Sequence, residues 1–69
     1  MATIYEKFGA KVRKLRKEKK LSQEKFAELI NRNPRTVVAI EAGKRNPTLK
    51  TIYKISLALK IPLSDLLKL

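Results

Sequence analysis

The side chains of this chain that are best suited to binding chemistry are cationic. The sequence has 17 Lys and Arg against 6 Asp and Glu, a formal net charge of +11 over 69 residues. A folded core does not need this charge, and self-repulsion destabilises a compact state, so an anionic partner is expected. The chain has no histidine and no cysteine, which removes the commonest acid–base group and the soft metal ligands. We therefore expect binding rather than catalysis, with no metal and no cofactor.

Arg35 has the most specific binding chemistry. In a helix over 34–42, a rotation of about 100° per residue leaves Arg35, Val38, Ala39 and Ala42 on the outward face. A guanidinium can pair with guanine through two hydrogen bonds, whereas Val38 and Ala39 offer only contact with thymine methyl groups. If the anionic partner is DNA, the predicted base-reading residues are Arg35, Val38 and Ala39. The alternatives are a phosphate contact for Arg35 and simple exposure for Val38 and Ala39.

Further polar side chains lie at the edges of this face and suit phosphate contacts. Gln23 opens a helix whose first amide groups favour an anion. A basic loop, GKRNP, directly follows the helix over 34–42. For Arg32, a phosphate contact and plain solvation remain alternatives. The predicted phosphate contacts are Gln23, Arg32, Thr36, Lys44, Arg45 and Asn46.

The stretch from Ser22 to Gly43 must position these side chains, and it predicts two short helices joined by a tight turn. Ser22 is a favourable N-cap. Asn31 tolerates the left-handed conformation that ends a helix. Asn33 and Pro34 then restart the helix with a capping side chain and a proline at the first helical position, and Gly43 ends it.

Three further helices complete an all-α fold in one domain, 1–69. Thr3 and Glu6 form a capping box that starts the first helix. Ile4 and Leu49 are expected to open the apolar stripes of the first and fourth helices, at helical spacing with later core residues. The predicted helices span approximately 4–19, 23–30, 34–42, 49–59 and 63–68.

The spacing within the central stretch matches a known motif. The matching residues are Gln23, Ala27, Asn31, Val37, Ile40 and Glu41-Ala42-Gly43. At these positions the chain resembles the helix-turn-helix of Cro/C1-type (XRE-family) regulators in their short form. The resemblance implies a five-helix, phage-repressor-like domain with the motif at helices 2 and 3. It also implies a sequence-specific transcriptional regulator that places the helix over 34–42 in the major groove of double-stranded DNA. In most members of the family that the chain resembles, glycine occupies the position of Lys20.

Arg16 and Glu41 are predicted to form a structural ion pair. Arg16 falls four residues after Val12, at the edge of the inward stripe, and Glu41 falls four after Val37. An inward guanidinium needs a partner, because burying an unpaired charge is costly. The matched positions pair in the family, by resemblance. Arg16 is also a candidate for presentation to a phosphate.

The C-terminal third has more large apolar side chains than one small core can take. The candidates for a two-fold interface are Tyr53, Leu57, Leu63, Leu67 and Leu69. A homodimer through this end sets two recognition helices about one DNA turn apart, ~34 Å, and predicts a palindromic operator. Since 69 residues leave no room for a sensing domain, no small-molecule ligand is expected.

The expected location is the bacterial cytoplasm, for a bacterial, phage or plasmid protein. No apolar run approaches membrane-spanning length, and the N-terminus lacks the apolar segment of a signal peptide. Two other functions remain open. The chain could be an antitoxin that binds both DNA and a partner toxin, or a cationic chain that binds any polyanion. Among regulators, a phage or plasmid repressor, a restriction-modification controller and a generic regulator fit equally.

Overall fold

Five helices form the fold. The computed structural model describes residues 2–69, in which there is no strand. The helices are α1 (Ile4–Glu18), α2 (Gln23–Leu29), α3 (Pro34–Glu41), α4 (Leu49–Leu59) and α5 (Leu63–Leu66). The all-α, five-helix class predicted from the sequence is therefore confirmed. The first three observed helices each end one residue before the predicted position, and α5 ends two residues before it.

Side-chain caps start the first four helices. The Glu6 N–H donates to Thr3 Oγ1 (3.1 Å) while the Thr3 N–H donates to Glu6 Oε1 (2.8 Å), which is the predicted capping box. Ser22, Asn33 and Thr48 each accept a backbone N–H from the first turn of α2, α3 and α4. These caps satisfy donors that have no partner within the helix, so each helix start is encoded locally.

The same four helices end in one geometry, with a residue of positive φ just after the helix. The residue that follows donates its N–H to a carbonyl five positions earlier, as in Leu21 to Arg16 (3.2 Å) and Ile61 to Ser56 (3.1 Å). This is the Schellman arrangement, which satisfies carbonyls left free at the helix end. The positive-φ residues are Lys20 (57°), Asn31 (54°), Gly43 (73°) and Lys60 (56°). Only one of the four is glycine.

The helices pack around one hydrophobic core. Its buried side chains come from all five helices and from Ile30, which directly follows α2. The core consists of Phe8, Val12, Phe26, Ala27, Ile30, Val37, Ile40, Ile55, Leu59 and Leu66. Within residues 2–69, no helix is both long and apolar enough to cross a membrane.

The expectation that Ile4 and Leu49 belong to this core is wrong. Ile4 is 64% exposed and Leu49 is 72% exposed. Each is the first residue of its helix. Because side chains on a helix lean toward its N-terminus, a residue in the first position projects beyond the helix end rather than onto the packed face. Helical spacing alone does not distinguish this position from the ones that follow.

α1 crosses α3 at Gly9, where the two backbones meet. A Cβ at this position would collide with the Ile40 carbonyl oxygen and lie 2.8 Å from that of Glu41. Gly9 lies inside α1 and is buried. Only the absence of a side chain allows this contact, which holds α1 against the end of α3.

Candidate nucleic-acid interface

The exposed side of α3 forms the centre of the candidate interface. Arg35, Val38, Ala39 and Ala42 line one open surface together with Lys44, and we call these five residues the recognition face. Val38 is 49% exposed. The opposite side of α3 is buried in the core, so this helix presents a single surface to a ligand. All three predicted base-reading residues lie on it.

Arg16 and Glu41 meet behind this face. Arg16 Nε donates to Glu41 Oε2 at 2.6 Å and Nη2 donates to Oε1 at 3.1 Å. Arg16 Nη1 donates to the Leu21 carbonyl at 2.7 Å. The two side chains are 8% and 4% exposed. The guanidinium thus ties α1 to α3 and to the connection between α1 and α2, and each of its nitrogens donates inside the protein.

Gln23 extends this network. Its Nε2 donates to Glu41 Oε1 at 3.1 Å, which links the start of α2 to the end of α3. The side chain is half-buried. The amide therefore supports Glu41 and keeps its second hydrogen and its carbonyl oxygen for an outside partner.

The remaining predicted phosphate contacts do not form one group. Arg32 donates to the Asn31 carbonyl (3.0 Å) and to Thr51 Oγ1 (3.3 Å), and so bridges the turn to α4. Thr36 is half-buried, whereas Arg45 is exposed. Asn46 borders an apolar groove beside the start of α1. Lys44 is the phosphate candidate that shares a surface with Arg35.

Arg32 also contributes to a cationic region beside α4. Desolvation, followed by the positive charges of Arg32 and Lys50, lowers the pKa of the Lys54 amine below the usual lysine value. Within residues 2–69, the salt bridges are Arg16 to Glu41 and Lys68 to Asp65. No carboxylate of the described chain therefore neutralises these three cations.

Several exposed apolar side chains lie in the C-terminal third. Tyr53, Leu57, Leu67 and Leu69 are between 45% and 58% exposed. Leu63 differs, because it is half-buried and packs against the core. Four of the five interface candidates are thus available to a partner.

The fold and this face can be compared with known proteins. Residues 12–66 match the family model HTH_3, described as helix-turn-helix. The chain belongs to this helix-turn-helix family. It is of the Cro/C1 (XRE) type, so the resemblance seen in the sequence is confirmed. Regulators of this family bind double-stranded DNA.

Individual relatives are regulators. Control protein C.MunI of Mycoplasma sp is 49% identical over 67 residues, covering 96% of this chain and 90% of that protein. The cryptic phage CTXphi transcriptional repressor RstR of Vibrio cholerae is 36% identical over 59 residues, 86% of this chain and 53% of that protein. The crystal structure of the restriction-modification controller protein C.AhdI of Aeromonas hydrophila matches with a TM-score of 0.87 and 40% identity, covering 90% of this chain and 94% of that one. The expectation of a regulator rather than an enzyme is confirmed.

The location of Arg13 beside the recognition face was not predicted from the sequence. Arg13 is one of the Lys and Arg residues of α1 for which no contact was predicted. It borders an open depression shared with Gln23, Glu41 and the recognition-face residues Val38 and Ala42. Its spacing of three from Arg16 was the available signal, because residues three apart lie on the same side of a helix.

Proposed function

We propose that this helix-turn-helix regulator binds a palindromic operator as a homodimer, with α3 of each subunit in the major groove. The main support for the proposal is the recognition face. In it, the exposed Arg35 and Lys44 flank small apolar side chains. Glu41 anchors α3 to α1 through Arg16. Such a helix fits a major groove, which is about 12 Å wide. The net charge of +11 supplies attraction to the DNA backbone.

Selectivity in this proposal rests on few side chains. Arg35 reads guanine, and Val38 and Ala39 contact thymine methyl groups. Because Arg35 is the only hydrogen-bonding side chain that α3 itself contributes to this face, DNA shape and deformability contribute to site preference. Phosphate contacts come from Gln23, Thr36, Lys44, Arg45 and Asn46. Arg32 adds to them from the turn, where its bond to Thr51 orients the guanidinium.

The homodimer forms through the exposed apolar side chains at the C-terminal end. The exposed side chains of this interface are Tyr53, Leu57, Leu67 and Leu69. Leu63, which packs against the core, lies beneath them. A chain of this size buries only about 60% of its unfolded surface, so covering these side chains adds needed stability. A two-fold axis through this end relates the two α3 helices, and a symmetric operator is the consequence.

The biological role that fits best is control of restriction-modification genes. The support is the 40% identity, over nearly the full length of both chains, to a protein described as a restriction-modification controller. The 49% identity to a protein described as a control protein agrees with this role. The phage repressor is matched over only 53% of its length. As a DNA-binding regulator, the chain acts in the bacterial cytoplasm.

Selection of bound duplexes from a random DNA pool tests the proposal. At about 150 mM salt, purely electrostatic binding is weakened. We expect enrichment of a two-fold-symmetric motif with half-sites about one helical turn apart. A pool that stays random would contradict sequence-specific binding and favour a general polyanion binder. An asymmetric single motif would retain specific binding but contradict the dimer.

A further inference from the structure

The depression between α1 and α3 has one cationic group at its edge that is not used by the fold. Its lining residues are Arg13, Arg16, Gln23, Val38, Glu41 and Ala42. Arg16 and Glu41 neutralise each other, and all three guanidinium nitrogens of Arg16 donate within the protein. Gln23 is uncharged and also donates to Glu41. The net charge of this depression therefore comes from Arg13.

Arg13 has the exposure that a ligand contact requires. It is exposed on α1, and it is not a member of either salt bridge within residues 2–69. An arginine side chain that is not held by a carboxylate keeps its planar fork of donors free for a phosphate or a base.

The depression is continuous with the recognition face. Val38 and Ala42 line both surfaces, so the boundary between them consists of small apolar side chains. If α3 enters a DNA groove as proposed above, no large side chain separates the strand at the edge of that groove from α1. Arg13 lies on the α1 side of this boundary, outside the recognition face.

We propose that Arg13 binds a backbone phosphate of the DNA and that the depression beside it receives this phosphate. The inference rests on the proposed DNA-binding function and adds to it a contact from α1. Arg13 holds the phosphate through its guanidinium, and the Gln23 amide contributes its remaining hydrogen. Arg16 acts as a positioning residue, because it fixes Glu41 and α1 relative to α3.

The test compares Arg13→Ala with Lys14→Ala on the duplex selected from the random pool. Both variants lose one positive charge from α1. Lys14 is a matched control because it borders a different surface, next to Lys68. The measurement is the dissociation constant at several salt concentrations. We expect Arg13→Ala to reduce the slope of log affinity against log salt by about 0.9 per subunit, the value for one lost phosphate contact. Lys14→Ala should leave the slope close to that of the unmodified protein.

Three outcomes decide the question. Equal slopes for the two variants would overturn the proposal, because Arg13 would then act only through overall charge. A changed base preference with Arg13→Ala would also overturn it in favour of a base contact. Unchanged thermal unfolding of Arg13→Ala, together with a reduced slope, would support it. If the unmodified protein selects no duplex, the proposed function fails first, and that result is distinct from all three.

Discussion

The Arg16–Glu41 pair shows how one side-chain contact controls the geometry of a site. The pair joins two helices across 25 positions of sequence and is nearly excluded from water. Its attraction is offset by the cost of desolvating both charges, so the pair is more important for helix placement than for net stability. Gln23 and the Leu21 carbonyl complete the network, and within residues 2–69 no buried side-chain nitrogen or oxygen lacks a hydrogen-bond partner.

Removing either partner of this pair should be strongly destabilising. We expect Arg16→Ala or Glu41→Ala to lower the free energy of unfolding by roughly 3–5 kcal/mol, since each leaves a buried charge without its partner. The double variant should lose much less than the sum of the two. Urea denaturation of all four proteins measures the coupling. A cycle with no coupling would mean that the pair contributes nothing specific.

Arg35 and Lys44 share one face, but their expected roles differ. Arg35→Ala should weaken operator binding by about 1–3 kcal/mol and flatten the preference at one base pair, because a bidentate base contact is lost. Lys44→Ala is the control. It should weaken all duplexes evenly and lower the salt slope by about one. Affinities for the operator and its single-base variants separate these effects. An even loss across sequences for Arg35→Ala would reassign this residue to the phosphate backbone.

At the scale of helices, Lys20 and Lys60 occupy left-handed positions without a glycine. A side chain in this conformation costs about 1–2 kcal/mol, and glycine avoids most of that cost. We expect Lys60→Gly and Lys20→Gly each to raise the free energy of unfolding by roughly 0.5–1 kcal/mol, after allowing for the greater flexibility of the unfolded chain. Thermal unfolding measures the change. The control is Lys17→Gly, which removes a lysine from the interior of α1. It should lower the free energy of unfolding by about 1 kcal/mol.

Gly9 illustrates the opposite case. A glycine within a helix is usually improved by alanine, by about 1 kcal/mol. Here the added Cβ would collide with the α3 backbone, and forcing extra volume into a packed contact typically costs 1–3 kcal/mol. We therefore expect Gly9→Ala to lower the thermal midpoint and to weaken operator binding, because α1 must move away from α3. Lys14→Ala, on the exposed side of α1, should stay within about 0.5 kcal/mol. A higher midpoint for Gly9→Ala would contradict the close crossing.

At the scale of the whole molecule, the proposed dimer can be tested with two matched changes. Leu57 is 58% exposed on α4 and Leu29 is 49% exposed on α2. Leu57→Glu should abolish self-association in analytical ultracentrifugation and reduce affinity for the two-fold operator, since a charge cannot be buried in an apolar interface without a partner. Leu29→Glu should leave self-association unchanged. Equal sedimentation of both variants and the unmodified protein would rule out an interface at Leu57.

Much of the candidate site could be predicted because its residues belong to one short motif. Arg35, Val38 and Ala39 follow directly from the period of α3. Lys44 lies three residues after its last helical position. The use of the Gln23 amide by Glu41 could not be predicted. The spacing of Arg13 from Arg16 indicated its side of α1 but not its location beside the recognition face. Both depend on where α1 and α2 lie against α3.

The helices, their starts and the motif can be inferred from the sequence alone. Caps such as Ser22 and Asn33 act within one turn, and an apolar period is a property of neighbouring residues, so no tertiary information is needed. The contacts between helices follow only from the tertiary structure. It placed Gly9 against α3, left Ile4 and Leu49 outside the core, and joined the α1 surface to the recognition face. These features depend on distances between residues far apart in the chain, which local propensities do not specify.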